Sequence, residues 1–208
     1  MKTLYYQGFE ETSPFPQRPA LGPPLPALLN IFWPGVKPPE RASPMKFWET
    51  NGSYQLRENK LVPDVPYSGI YSLRFSVTLD GGWYCYFEER LPKTKLLEKY
   101  RDTRLEAYLL PLDLNGVSFN IGYNVIFPNE QKSGCCAISP EPAEGKEWVK
   151  VSSVPSPYDR MKDGAEKAGW DWRGFYLDRW YLSFLGGGGE FSGQTVTAFV
   201  DDVRIFTP

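Results

Sequence analysis

The side chains that could do chemistry in this chain are carboxylates, phenols, amides and arginines, because none of its 208 residues is a histidine. That absence excludes Ser-His-Asp and Cys-His relays, histidine-ligated zinc and any histidine general base. Three cysteines, with Cys85 in a strand-like run and Cys135-Cys136 in a turn flanked by Gly and Ser, fit neither a tetrahedral metal site nor a disulfide framework. Buried or idle thiols are the plainer reading, and a bridge from Cys85 to one of the pair is the other. For catalysis a pair of carboxylates remains. Glu88 and Glu106 share a predicted face on consecutive strands, and an acid and a base about 5–9.5 Å apart can cleave a glycosidic bond. A tyrosine base beside an arginine that neutralises a uronate is the second route, through Tyr84 or Tyr108 with Arg104.

For binding, the same residues make a different surface. Pyranose rings have apolar C–H faces that pack on aromatic rings, while their hydroxyls need donors and acceptors. Tyr84, Tyr86, Tyr108 and Tyr181 offer rings; Glu88, Glu106, Arg104, Asn120 and Asn124 take hydroxyls. Trp170 and Trp172, on a long loop, are placed to wall a cleft. The competing reading is that tyrosines on an exposed strand face are simply good β-formers.

The elements that must position these residues are strands. Twenty prolines and 19 glycines punctuate short β-rich runs, and 33 aromatics (13 Phe, 13 Tyr, 7 Trp) enrich them. The predicted strands are Thr3–Phe9, Lys46–Leu56, Ile70–Thr78, Trp83–Leu91, Arg104–Leu110, Val117–Phe127, Glu147–Val154, Leu177–Leu185 and Thr195–Phe206. Period-two alternation turns Cys85, Phe87, Leu105, Ala107, Leu109, Trp180, Leu182 and Phe184 inward. It turns Tyr84, Tyr86, Glu88, Arg104, Glu106, Tyr108, Asn120, Asn124, Arg179, Tyr181 and Ser183 outward. Placed in one sheet, these strands would give that sheet an outer face of flat rings and planar hydrogen-bonding groups.

Nine such strands define an all-β fold, an antiparallel two-sheet β-sandwich or jelly roll, in a single domain spanning 1–208. Two long loop insertions interrupt it. The first, 11–44, holds ten prolines and the apolar residues Leu28, Leu29, Phe32 and Trp33; the second, 155–174, admits a short helix at Tyr158–Ala168. A net charge of −2 gives little attraction to a phosphate backbone, so no nucleic acid partner is expected. No apolar run approaches the roughly 20 residues of a membrane helix, so no membrane span is expected. The opening Met1–Tyr6 reads as strand, with no signal-peptide h-region.

Three segments carry a family resemblance. Gly8-Phe9-Glu10 looks like a first-strand G-F-E, Tyr67-Ser68-Gly69-Ile70-Tyr71-Ser72-Leu73-Arg74 like an h-S-G-x-y-S-L-x entry into a strand, and Phe199-Val200-Asp201-Asp202-Val203-Arg204-Ile205 like a last-strand f-h-D-D-v-x-h. In this order and placement they resemble the jelly-roll carbohydrate-binding modules of the galactose-binding-like superfamily. Tyr100 and Glu147-Trp148-Val149-Lys150-Val151 add to the likeness, whereas the 11–44 insertion departs from a minimal module. The resemblance implies a non-catalytic, extracellular or cell-surface binder of a polysaccharide or oligosaccharide. It also implies a structural calcium held by Glu10, Asp201 and backbone carbonyls near Ser68-Gly69, with Asp202 as substitute for Asp201; hard oxygen ligands suit that ion. The alternatives are a jelly-roll glycoside hydrolase or polysaccharide lyase, and a structural or adhesion module of a surface or virion assembly docking through the Pro-rich arm. Against the enzymes, the E-x-D-x-E strand of one jelly-roll hydrolase group and a lyase motif containing Gln-Ile-His are both missing from the sequence.

Overall fold

The computed structural model describes residues 2–9, 39–50, 54–80, 84–96, 102–114, 117–127, 133–138, 147–152, 158–171, 175–185 and 191–207. Glu10, Trp172 and the apolar residues of the first insertion lie outside them, and Tyr84 is placed by its backbone alone.

Twelve strands among the described residues form two antiparallel sheets. They are β1 (Lys2–Gln7), β2 (Arg41–Ala42), β3 (Lys46–Thr50), β4 (Gln55–Val62), β5 (Ser72–Thr78), β6 (Tyr84–Leu96), β7 (Arg104–Asp113), β8 (Ser118–Ile126), β9 (Ser133–Ile138), β10 (Val149–Ser152), β11 (Phe175–Leu185) and β12 (Thr195–Thr207). A seven-stranded sheet runs β10-β7-β12-β5-β4-β2, with β1 also paired to β12; a five-stranded sheet runs β3-β6-β11-β8-β9. The fold is therefore the expected antiparallel β-sandwich.

Alternation builds the core between the sheets. Phe75 from β5 meets Phe87, Phe119 and Phe184 from the five-stranded sheet at ring-centroid distances of 5.5, 6.0 and 5.4 Å. All four rings are buried, as are Leu105, Ala107, Trp180 and Leu182. Truncating any one of the phenylalanines to alanine should cost about 3–5 kcal/mol, through lost transfer energy plus a cavity.

Three expectations are corrected. Lys46–Leu56 is two strands: β3 pairs with β6 in one sheet, whereas β4 pairs with β5 in the other. Asn51-Gly52, a dipeptide whose tolerance of positive φ favours turns, lies between them in the sequence and outside the described residues. Cys135 and Cys136 lie in β9, paired to β8, rather than in a turn. Most consequentially, the predicted polar face is divided: β6, β8 and β11 share the five-stranded sheet, while β7, carrying Arg104, Glu106 and Tyr108, belongs to the seven-stranded one.

The second insertion contains helix α1 (Tyr158–Lys167). Gly169 ends it at φ +69°, where Gly169 N–H donates to Glu166 O and Trp170 N–H to Ala165 O. These two bonds make a Schellman cap, which requires that left-handed residue. The cap fixes Trp170, whose ring packs edge-on against Phe127 at 5.4 Å.

Candidate functional site

The outer face of the five-stranded sheet is organised by a bulge. In β11 the register with both neighbours shifts between Leu177 and Arg179: against β8 Asp178 is the extra residue, whereas against β6 it faces three residues, Leu91–Lys93. Bulges of this kind re-aim side chains. Here Arg179 is turned onto the outer face, where it pairs with Glu88 through Nη1 and with Asp178 Oδ2 through Nε at 2.6 Å. Desolvation lowers the Arg179 pKa, but the bonds to Glu88 and Asp178 outweigh it and raise the value above its ordinary one. Glu88 is only 2% exposed although it points away from the core, so the cluster is recessed.

Around that cluster the register sets the predicted residues. Glu88 is opposite Tyr181, Tyr86 opposite Ser183, and Arg179 opposite Asn124, while Ser183 is opposite Asn120. Tyr86, Tyr181, Asn120 and Asn124 are all half-buried. The buried Oδ1 of Asn124 has no hydrogen-bond partner, an acceptor aligned with the ion pair and left unused by the fold. Tyr84 stands opposite Leu185 in the same strand pair. Sequence reasoning turned Arg179 outward without assigning it a role, and missed Asp178 altogether. The one signal was an acid in an otherwise alternating Leu-Asp-Arg-Trp-Tyr run.

Arg104, Glu106 and Tyr108 lie on the outer face of the other sheet, in register with β10 and β12. Glu106 pairs with Arg204, with Lys150 at 3.0 Å and with the Ser152 hydroxyl at 2.9 Å. Burial raises the Glu106 pKa, but those bonds outweigh it and hold the carboxyl below its ordinary value. Arg104 keeps a buried Nε without a hydrogen-bond partner. The paired-carboxylate route through Glu88 and Glu106 therefore fails on geometry, because the two residues lie on different sheets and each is engaged by its own arginine. The Tyr84–Arg104 version of the lyase pair fails for the same reason.

The residues expected to hold calcium form a different junction. Asp201 is fully buried; its Oδ2 accepts the N–H groups of Tyr67 at 2.9 Å and Ser68 at 3.0 Å, and its Oδ1 that of Asp202 at 2.7 Å. Asp202 has φ +48° within the β12 irregularity, and its Oδ1 accepts the hydroxyls of Tyr6 at 2.5 Å and Ser68 at 2.8 Å. A Cβ on Gly8 would stand 2.7 Å from the Tyr6 hydroxyl, so a side chain there would have to displace the ring that bonds Asp202. Burial first, and then the neighbouring Asp202 charge, push the Asp201 pKa up to about 8 against the backbone bonds that lower it. Among the described residues no group of three or more carboxylates or thiols gathers to hold a metal; Glu10 lies outside them.

Sheet order and register define the class, a two-sheet antiparallel β-sandwich. The chain is similar to the crystal structure of a family 30 carbohydrate-binding module, with TM-score 0.54 and 16% identity over 83% of this chain and 96% of that one. It is also similar to the family 30 module of the cellulosomal cellulase Cel9D-Cel44B of Clostridium thermocellum, with TM-score 0.50 and 17% identity over 80% and 94%. A third structure, solved to explain promiscuous specificity in carbohydrate-binding modules of the β-sandwich superfamily, gives TM-score 0.51 and 11% identity over 79% of this chain and 57% of that one. At such identities what is shared is the fold. No family model matches the sequence, and no curated protein does.

Proposed function

We propose that this chain is a non-catalytic carbohydrate-binding module that takes a polysaccharide across the outer face of its five-stranded sheet. The observation that carries the reading is the recessed Glu88–Arg179–Asp178 cluster beside the unpartnered Asn124 Oδ1, flanked by Tyr86 and Tyr181. Planar, charge-assisted groups suit vicinal hydroxyls, and the two rings suit the C–H faces of pyranoses. The likeness to carbohydrate-binding modules supports it, and an extracellular or cell-surface location goes with it. Affinity electrophoresis through gels containing soluble plant, algal and microbial polysaccharides tests it. Retardation in one or a few gels is expected; free migration in all of them overturns the reading.

A structural calcium belongs to the same proposal, with Glu10, Asp201 and the backbone beside Ser68 as its ligands. Its support is that Asp201 is buried next to a second carboxylate with only N–H donors bonded to it, a penalty that a divalent cation would relieve. The chemistry supplied would be structural: a clamp between the first and last strands. Chelation with EDTA should lower the melting temperature and added calcium should restore it, whereas an unmoved melting curve contradicts the calcium.

A further inference from the structure

The seven-stranded sheet carries an aromatic platform of its own. Tyr67, in the loop between β4 and β5, stacks on Tyr108 of β7 at 3.5 Å with an interplanar angle of 15°, and the ring of Trp148 meets it edge-on at 5.8 Å. Tyr67 nevertheless stays 40% exposed. Its position is held from below, because its N–H and that of Ser68 are fastened to the buried Asp201. The neighbouring Tyr108, and then burial, raise its pKa to about 12 and keep the phenol neutral. An exposed aromatic side chain ordinarily loses rotamer freedom when a ligand orders it; this one is ordered beforehand.

The register places polar groups beside the platform. Lys150 is opposite Tyr108, and Ser152 is opposite Glu106. One exposed ring with a half-buried indole at its edge matches a single sugar ring, not the roughly 800 Å² per partner of a stable protein interface. From this we infer that Tyr67, Tyr108 and Trp148 form a second glycan-stacking site, on the opposite sheet from the first, so that one chain engages two polysaccharide strands. The inference rests on the reading of the protein as a glycan binder, but on different residues.

The test is isothermal titration with a short oligosaccharide of whichever polysaccharide retards the wild type. The wild type should bind two equivalents and Tyr67→Ala one, while Tyr67→Phe, which keeps the ring, should retain two. The Tyr86→Ala/Tyr181→Ala double variant should also bind one, now at the Tyr67 platform. A single equivalent in the wild type, unchanged by Tyr67→Ala or Trp148→Ala, overturns the second site and leaves the first standing. Loss of all binding in Tyr67→Ala with none lost in the double variant overturns the five-stranded face instead. Circular dichroism of each variant separates lost binding from lost fold.

Discussion

The outer faces of the two sheets carry similar sequence patterns and different chemistry. On β6, Tyr-x-Tyr-x-Glu ends in a carboxylate buried against Arg179, at a bulge, with an amide oxygen beside it left without a partner. On β7, Arg-x-Glu-x-Tyr ends in a carboxylate shared by Arg204, Lys150 and Ser152, and in a ring already stacked on another ring. The first face keeps hydrogen-bonding capacity in reserve. The second shares its carboxylate among three donors, leaves Arg104 Nε without a partner and offers mainly a flat surface. Alternation decides which side chains leave the core, but cross-strand partners decide what those side chains are still able to bind.

The largest effect that would break this comparison is on stability. Glu88→Ala leaves Arg179 in a recessed site with Asp178 as its remaining partner and should cost about 2 kcal/mol of unfolding free energy, since it removes the more deeply buried of the two carboxylates that compensate the charge. Glu106→Ala, in a more open cluster, should cost about 1 kcal/mol. Urea denaturation of both variants checks the order, and equal losses would erase the distinction between the faces.

A smaller effect follows from pH. The Asp201 carboxyl has an ordinary value of 3.8 and is raised to about 8 in the fold, so between those values the native state holds a proton that the unfolded chain has released. Stability from this group is fully present below about pH 4 and is lost as the pH rises through 8. The melting temperature of chelated protein should fall across that window, and Asp201→Asn should flatten the slope. Saturating calcium should flatten it too, because the ion holds the carboxylate ionised. A slope identical in Asp201→Asn would place its origin elsewhere.

Much of the fold was legible because burial on one side of a strand writes a period of two directly into the chain. Phe87, Trp180 and Phe184 could be turned inward from sequence alone, and they are buried. Sheet membership could not, since it depends on pairing between residues such as Tyr181 and Glu88 that are far apart in the chain. That is why one imagined face became two. The bulge at Asp178 was illegible for a related reason: a register shift shows only in the pairing, here as one residue too many against β8 and as Leu91–Lys93 of β6 facing a single residue. The interior role of Glu89 was hidden as well. It takes an inward position in β6 and accepts bonds from the Tyr5 hydroxyl and Trp180 Nε1, each at 2.8 Å, so a core position need not be apolar when donors converge on it. The Gly8-Phe9-Glu10 and Asp201-Asp202 segments were legible through resemblance, and the contact of Gly8 with Tyr6 gives the glycine a physical reason.

The central claim is that the five-stranded face holds the glycan. Its most direct test compares Tyr67→Ala, which lacks the second site, with the Tyr67→Ala/Tyr86→Ala/Tyr181→Ala variant in the same polysaccharide gel. Removing two stacking rings, each contributing about 1 kcal/mol, should weaken binding at that face at least tenfold. The account predicts that most of the retardation disappears while the circular dichroism spectrum is unchanged. Retardation equal to that of Tyr67→Ala would contradict it.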